Sequence, residues 1–216
     1  MSLTIKLVRH GESLANVGHV VSKDVGDHTI GLTERGHQQA RAVGASLGRG
    51  YLQDALIYTS PYTRTRLTLQ GILSGAGLES KEVRIFEDPR LREVEHGYAE
   101  YEAQEARRRT HGWFYYRFEG GESPADCFDR TSSFLETMMR QVERKAAEHV
   151  LIVTHGLTIR CFAMRYLHLP VEEFDDLANP GNCDVITIAR KETLTSPGWV
   201  TGRWGVTGLS RRPPEP

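Results

Sequence analysis

The hydrophobic pattern opens with Leu3-Thr4-Ile5-Lys6-Leu7-Val8, whose alternation suits a β-strand. Polarity then switches without a spacer, and residues 14–32 carry no period and read as a loop. Thr33 caps a predicted helix running to about Leu47, with Ala40, Val43 and Leu47 at helical spacing and Gly48 and Gly50 ending it. Asp54-Ala55-Leu56-Ile57-Tyr58-Thr59 reads as a second, buried strand. It is followed by a helix that has Pro61 in its first turn. Val83-Arg84-Ile85-Phe86 is a third strand. Ser123, Pro124 and Asp126 form an N-cap, a first-turn proline and a capping-box position for a helix to about Glu148 with Phe128, Phe134, Leu135, Met138 and Val142 on its apolar side. His149–Thr154 is a near-continuous apolar run, the pattern of a strand buried on both faces. Leu157–Leu167 follows as a helix, Cys183–Ala189 and Trp199–Trp204 as late strands, and residues 211–216 as a frayed tail.

Composition adds exclusions. The 216 residues are 39% hydrophobic and 25% charged, ordinary for a globular chain and enough for one sizeable core. Twenty-seven basic residues face twenty-eight acidic ones, so overall charge gives no support to a nucleic-acid or membrane partner. Lys6 and Arg9 lie in the first ten residues and no long apolar run follows, so neither a signal peptide nor a spanning helix is expected. The three cysteines, Cys127, Cys161 and Cys183, are odd in number and far apart, which predicts no disulfide framework and a reduced, cytoplasmic setting. The nine histidines form no HxxxH or HExxH pair, and no metal site is expected.

Candidate chemistry gathers where strands end. Arg9-His10-Gly11 at the exit of the first strand offers a guanidinium fork for a phosphate or carboxylate, an imidazole that serves as base, nucleophile or ligand, and a backbone able to approach both. The bland alternative is a solvated turn. Asn16 is placed to reach the same anion, or simply to stabilise its loop. Arg64, one turn into its helix, would meet an anion where the macrodipole already favours one; otherwise it is a surface residue. Glu93 lies in a polar loop at another strand's exit, where a carboxyl of raised pKa serves as a general acid, with Glu95 and His96 as competitors. His155-Gly156 ends the most apolar strand, on the usual ligand side of an open α/β sheet. Arg107-Arg108-Arg109 and the aromatic run Trp113–Phe118 admit three readings: a cap laying aromatics and arginines over a site, a nucleic-acid surface, or a helix packing its aromatics on the core with its arginines in water.

Taken together, Arg9-His10-Gly11-Glu12-Ser13 with Asn16, Ser60-Pro61-x-x-Arg64 with Thr68, Leu91-x-Glu93-x-x-x-Gly97, Gly121-Glu122-Ser123 with Asp126, and Thr154-His155-Gly156 give a chain that resembles the histidine phosphatase superfamily, in its phosphoglycerate-mutase-like branch. The resemblance runs in order over roughly three quarters of the chain. It implies an α/β three-layer sandwich with a mostly parallel central sheet, helices on both faces, and a small cap segment at about 98–120 within a single domain of residues 1–210. It also implies roles. His10 would be the nucleophile, Arg9, Arg64 and His155 would hold the phosphoryl group, and Glu93 would be the acid. Ser13, Asn16, Gly156 and Leu157 would complete the phosphate pocket, and Arg117 would reach the substrate from the cap. No metal or cofactor is required. The expected partner is a small phosphorylated metabolite, with no nucleic acid and no membrane, and a homodimer is left open. Tyr98-Ala99-Glu100 departs from the Trp-Glu-Gly-like end common in the family. The segment between Glu93 and Gly121 is shorter than in the glycolytic mutases, so hydrolysis is favoured over mutase activity, because a mutase must close a dry, basic pocket over its intermediate. The third expectation is a non-catalytic phosphate-binding module.

Overall fold

The computed structural model describes residues 3–97 and 99–212. In chain order its elements are β1 (Thr4–Arg9), α1 (Ser22–Val25), α2 (Glu34–Gln53), β2 (Leu56–Thr59), α3 (Thr63–Gly75), β3 (Ile85–Glu87), α4 (Tyr101–His111), α5 (Pro124–Lys145), β4 (His149–Thr154), α6 (Gly156–Leu167), α7 (Glu173–Asp176), β5 (Val185–Arg190), β6 (Trp199–Thr201) and β7 (Trp204–Thr207). The seven strands form one sheet of order β3-β2-β4-β1-β5-β7-β6. The first four run parallel, and β5, β7 and β6 add an antiparallel flank.

Central strand β4 shows why the fold has three layers. Val150 and Ile152 point into a core with Phe134 of α5 and Phe162 of α6, while Leu151 and Val153 point into a second core with Leu69 and Ile72 of α3. A strand covered on both faces needs apolar residues at every position, and each such side chain contributes roughly 1.5–3 kcal/mol on burial. The expected three-layer architecture is therefore the one found.

Several boundaries move. α2 does not stop at Gly48, which has φ 74° and ψ 159° and only kinks it; the last turn continues to Gln53 because fully buried Leu52 packs in the α3-side core. α5 ends at Lys145 rather than near Glu148, since Ala146 takes a left-handed conformation and its N–H returns to the helix. The second strand starts only at Leu56, and the third is shifted to Ile85–Glu87. Trp199–Trp204 is not one strand but the turn of the hairpin β6-β7, reversed at Gly202 with φ 57°. Residues 14–32 contain α1 and a short 3-10 turn, Asp27–Thr29.

The tail is not frayed where it is described. Arg211 bridges to Leu177 and ion-pairs with Glu173 and Asp176, and the Arg212 N–H donates to Asp176 O at 2.7 Å. Residues 213–216 of that expected tail lie outside the described residues, as does Tyr98 of the expected cap. Among the described residues no helix is long and apolar enough to cross a membrane.

Candidate active site

Strand order builds the site. Adjacent parallel strands β2, β4 and β1 end level with one another, so the residues just past them, Ser60, His155 and His10, stand side by side. The His10 N–H donates to Thr154 O at 2.9 Å and the Ser60 N–H to Val153 O at 3.0 Å, which fixes both exits to β4. The rings of His10 and His155 lie edge to face with centroids 5.3 Å apart.

His10 is only 4% exposed. Its Nδ1 lies 2.8 Å from Gly11 O. A carbonyl oxygen only accepts, so Nδ1 carries the proton of the neutral ring and Nε2 keeps its lone pair. Burial, then the charge of Arg64, push His10 down to about 3; the Gly11 carbonyl opposes them, and the charge of Arg9 adds the smallest push downward. The same burial, with Arg64 and His10 beside it, holds His155 well below the usual imidazole range. His155 Nε2 meets Ser60 Oγ at 2.9 Å, and its buried Nδ1 has no hydrogen-bond partner among the described residues.

The backbone around His10 is clamped. The Gly11 N–H donates to Thr68 Oγ1 at 2.9 Å, and the Thr68 hydroxyl donates to Arg64 O at 2.6 Å, tying the loop to α3. On its other side the first turn of α2 lies backbone to backbone against it: a Cβ on Gly36 would sit 2.2 Å from Glu12 O. The Asn182 Nδ2 group donates to His10 O at 3.1 Å and to Asn16 Oδ1 at 3.0 Å, and the Ser13 N–H donates to the same Asn16 oxygen. The Asn16 amide nitrogen thereby has no partner among the described residues and is the end of that side chain open to a ligand oxygen.

Two arginines flank the imidazole. Arg9 donates from Nη1 to Pro180 O at 2.6 Å, and its buried Nε is without a partner among the described residues. Arg64, 5% exposed, is gripped in a bidentate fork by Asp27, Nη1 to Oδ1 at 3.0 Å and Nη2 to Oδ2 at 2.8 Å, with Asp27 O as a third acceptor at 2.6 Å. Its guanidinium lies over the Tyr62 ring, 4.9 Å from the centroid.

Glu93 is aimed from the opposite wall. Oε1 accepts from the Val94 N–H at 3.0 Å, and Oε2 faces the Leu157 N–H at 3.4 Å, at the start of α6. Its loop is pinned from behind by Arg130, which donates to Arg90 O and Arg92 O and pairs with Glu122; Arg92 also pairs with Glu122. The Gly121-Glu122-Ser123 motif thus positions the Glu93 loop and caps α5 rather than touching the cleft.

A cleft of roughly 460 Å3 opens above these groups, walled by Arg9, His10, Ser13, Asn16, Arg64 and Glu93. His155 lies behind the floor, fully buried. Three of the expected substrate-binding residues lie off the cleft wall. Arg117 does not reach the cleft: it is exposed and paired with Asp126 at 2.6 Å. Leu157 gives its N–H to Glu93, and neither it nor Gly156, which lies against Arg9 and Asn179, is part of the cleft wall. The segment around α4 packs Phe114, Tyr116 and Phe118 into the main core, with Arg108 buried against Trp113 and Phe118 and Arg107 paired with Glu119. Of the three readings of that run, core packing fits the aromatics Phe114, Tyr116 and Phe118, while Arg108 departs from it by being buried rather than in water.

Sequence reasoning missed Asp27, His28 and Tyr62 on the cleft wall and Asn182 beneath it. Tyr62 sat inside a motif already singled out. Asp27 and His28 lie in an aperiodic loop, and their place depends on α3 arriving beside them.

The sequence model of the histidine phosphatase superfamily (branch 1) matches residues 5–204. A phosphoglycerate mutase-like protein of Arabidopsis thaliana is 39% identical over 203 residues, covering 83% of this chain and 71% of the relative. A broad-range acid phosphatase of Saccharomyces cerevisiae is 27% identical over 287 aligned residues, covering 88% and 86%. Among solved structures, a mycobacterial glucosyl-3-phosphoglycerate phosphatase superposes with a TM-score of 0.73 over 95% of this chain and 97% of its own, at 24% identity, a likeness of fold.

Proposed function

This chain belongs to branch 1 of the histidine phosphatase superfamily, and we propose that it hydrolyses small phosphomonoesters through a phosphohistidine on His10. The observation that carries this reading is a neutral His10 with Nε2 unprotonated, at the floor of a cleft that also presents Arg9, Arg64 and Glu93. In the first step Nε2 attacks phosphorus in line, the bond to the leaving oxygen breaks, and protonated Glu93 supplies that oxygen's proton. Arg9 and Arg64 stabilise the charge on the transferring phosphoryl oxygens, and His155 backs His10 from behind the floor. In the second step water attacks the phosphohistidine, Glu93 takes its proton, and phosphate leaves with His10 restored.

Hydrolysis is favoured over mutase activity by the absence of a second anion subsite among the described residues. None of Arg107, Arg108, Arg109 and Arg117 is part of the cleft wall, so nothing basic from the cap holds a monophosphate in place while it reorients. The yeast relative, named a broad-range acid phosphatase, points the same way. The test is a rapid quench with a radiolabelled aryl phosphate, run beside 3-phosphoglycerate with and without 2,3-bisphosphoglycerate. Expected are an acid-labile, base-stable label that is lost in His10→Ala, and phosphate release without isomerisation. Isomerisation stimulated by the bisphosphate would establish a mutase; no label and no turnover would leave a binding module.

A further inference from the structure

Besides the phosphoryl-binding groups, the cleft wall includes Asp27, His28, Tyr62, Glu95 and His96. Its charges are lopsided. The cations on the whole wall are Arg9 and Arg64, and the carboxylates are Asp27, Glu93 and Glu95. Arg92, a further cation acting on Tyr62, is engaged by Glu122. Tyr62 records the arrangement independently: after burial, the charges of Asp27 and Glu95 are what push its hydroxyl up, so both carboxylates lie near this one ring. A phosphoryl dianion is met by Arg9 and by Arg64, whose charge is already shared with Asp27 in their bidentate fork. That leaves the wall short of positive charge, and Glu95, which has no ion-pair partner among the described residues, adds a further negative one.

Resting on the phosphatase reading, we infer that this cleft takes phosphomonoesters whose alcohol portion is uncharged or cationic, a polyol or an amino alcohol, and that Asp27 and Glu95 reject an anionic one. A carboxylate or second phosphate on the leaving group would meet Glu95 and no unengaged cation among the described wall residues, and like charges brought together at a binding site discriminate against the wrong ligand. A hydroxyl finds acceptors in the same carboxylates and in the imidazoles of His28 and His96, and an ammonium finds a counter-charge.

The test uses three esters of small alcohols: glycerol 3-phosphate, 3-phosphoglycerate, which replaces its terminal CH2OH by a carboxylate, and phosphoethanolamine. They are assayed at pH 8, with an aryl phosphate as control. The wild-type protein should prefer glycerol 3-phosphate to 3-phosphoglycerate by about tenfold or more in kcat/KM. Glu95→Gln should narrow that ratio roughly three- to tenfold, and should lower phosphoethanolamine relative to glycerol 3-phosphate by a similar factor. Asp27→Asn should do the same; any change it causes in the grip of Arg64 on phosphate is common to all three esters and divides out of the ratios. Equal use of 3-phosphoglycerate and glycerol 3-phosphate by the wild type, or charged esters shifting in the same direction in the variants, would overturn the inference while aryl phosphate turnover kept the phosphatase reading intact. Failure to turn over the aryl phosphate would remove that reading, and this inference with it.

Discussion

Two buried neutral imidazoles at the floor of the cleft should make the fold measurably acid-sensitive, and His10 allows the size of the effect to be worked out. An unfolded imidazole takes up a proton near pH 6.5, whereas folded His10 does so only near about 3. Between those values the unfolded chain binds more protons than the folded one, so stability falls as pH falls. The contribution is fully present above about pH 6.5 and is lost progressively toward pH 3. At pH 5 the loss from His10 alone is about 2 kcal/mol relative to pH 8. His155, shifted in the same direction by burial, Arg64 and His10, adds a loss of the same sign. Urea unfolding of wild type and His10→Gln at pH 8 and pH 5 measures this. Ordinary carboxylates titrate below that window. The wild-type midpoint should drop by roughly 1 M for each 2 kcal/mol, and the variant should drop by about 2 kcal/mol less. An identical pH loss in both proteins would refute the reasoning, because it would mean that His10 is protonated as readily folded as unfolded.

Other substitutions separate the parts of the site. Ser60→Ala leaves both ring nitrogens of His155 without a partner among the described residues; it should cost about 1–3 kcal/mol in urea unfolding and slow turnover, and unchanged stability with unchanged kcat/KM would show the 2.9 Å contact to be idle. Glu93→Gln should slow alkyl phosphates far more than activated aryl phosphates, since only poor leaving groups need the proton; an equal loss on both would move the acid role to Glu95, which shares the cleft wall. Arg117→Ala should leave KM within about twofold, because the side chain is occupied by Asp126 away from the cleft. A several-fold rise in KM for a small ester would return Arg117 to the substrate site.

Much of this protein was decided locally and could be read from the chain alone. β4 is where the pattern placed it, because a strand buried on both faces must be apolar at every residue and the run His149–Thr154 is unmistakable. The start of α5 was equally plain, since a capping box involves residues only three apart. The residues of the cleft floor were legible for a related reason: they sit at or immediately past strand ends, where an apolar run stops on Arg, His or Ser. What the local pattern could not carry is everything that depends on elements meeting from far apart in sequence. The three-residue strand β3 and the hairpin β6-β7 exist because neighbouring strands offer them hydrogen bonds, not because their own residues insist. Arg117 turned from substrate to Asp126 because the core drew in Phe114, Tyr116 and Phe118 around it. Asp27, in an aperiodic loop, acquires its meaning from Arg64, thirty-seven residues on, whose guanidinium it holds at the cleft wall. Reactive groups follow from secondary structure ending in the right residue; specificity follows from which loops the tertiary packing leans over them.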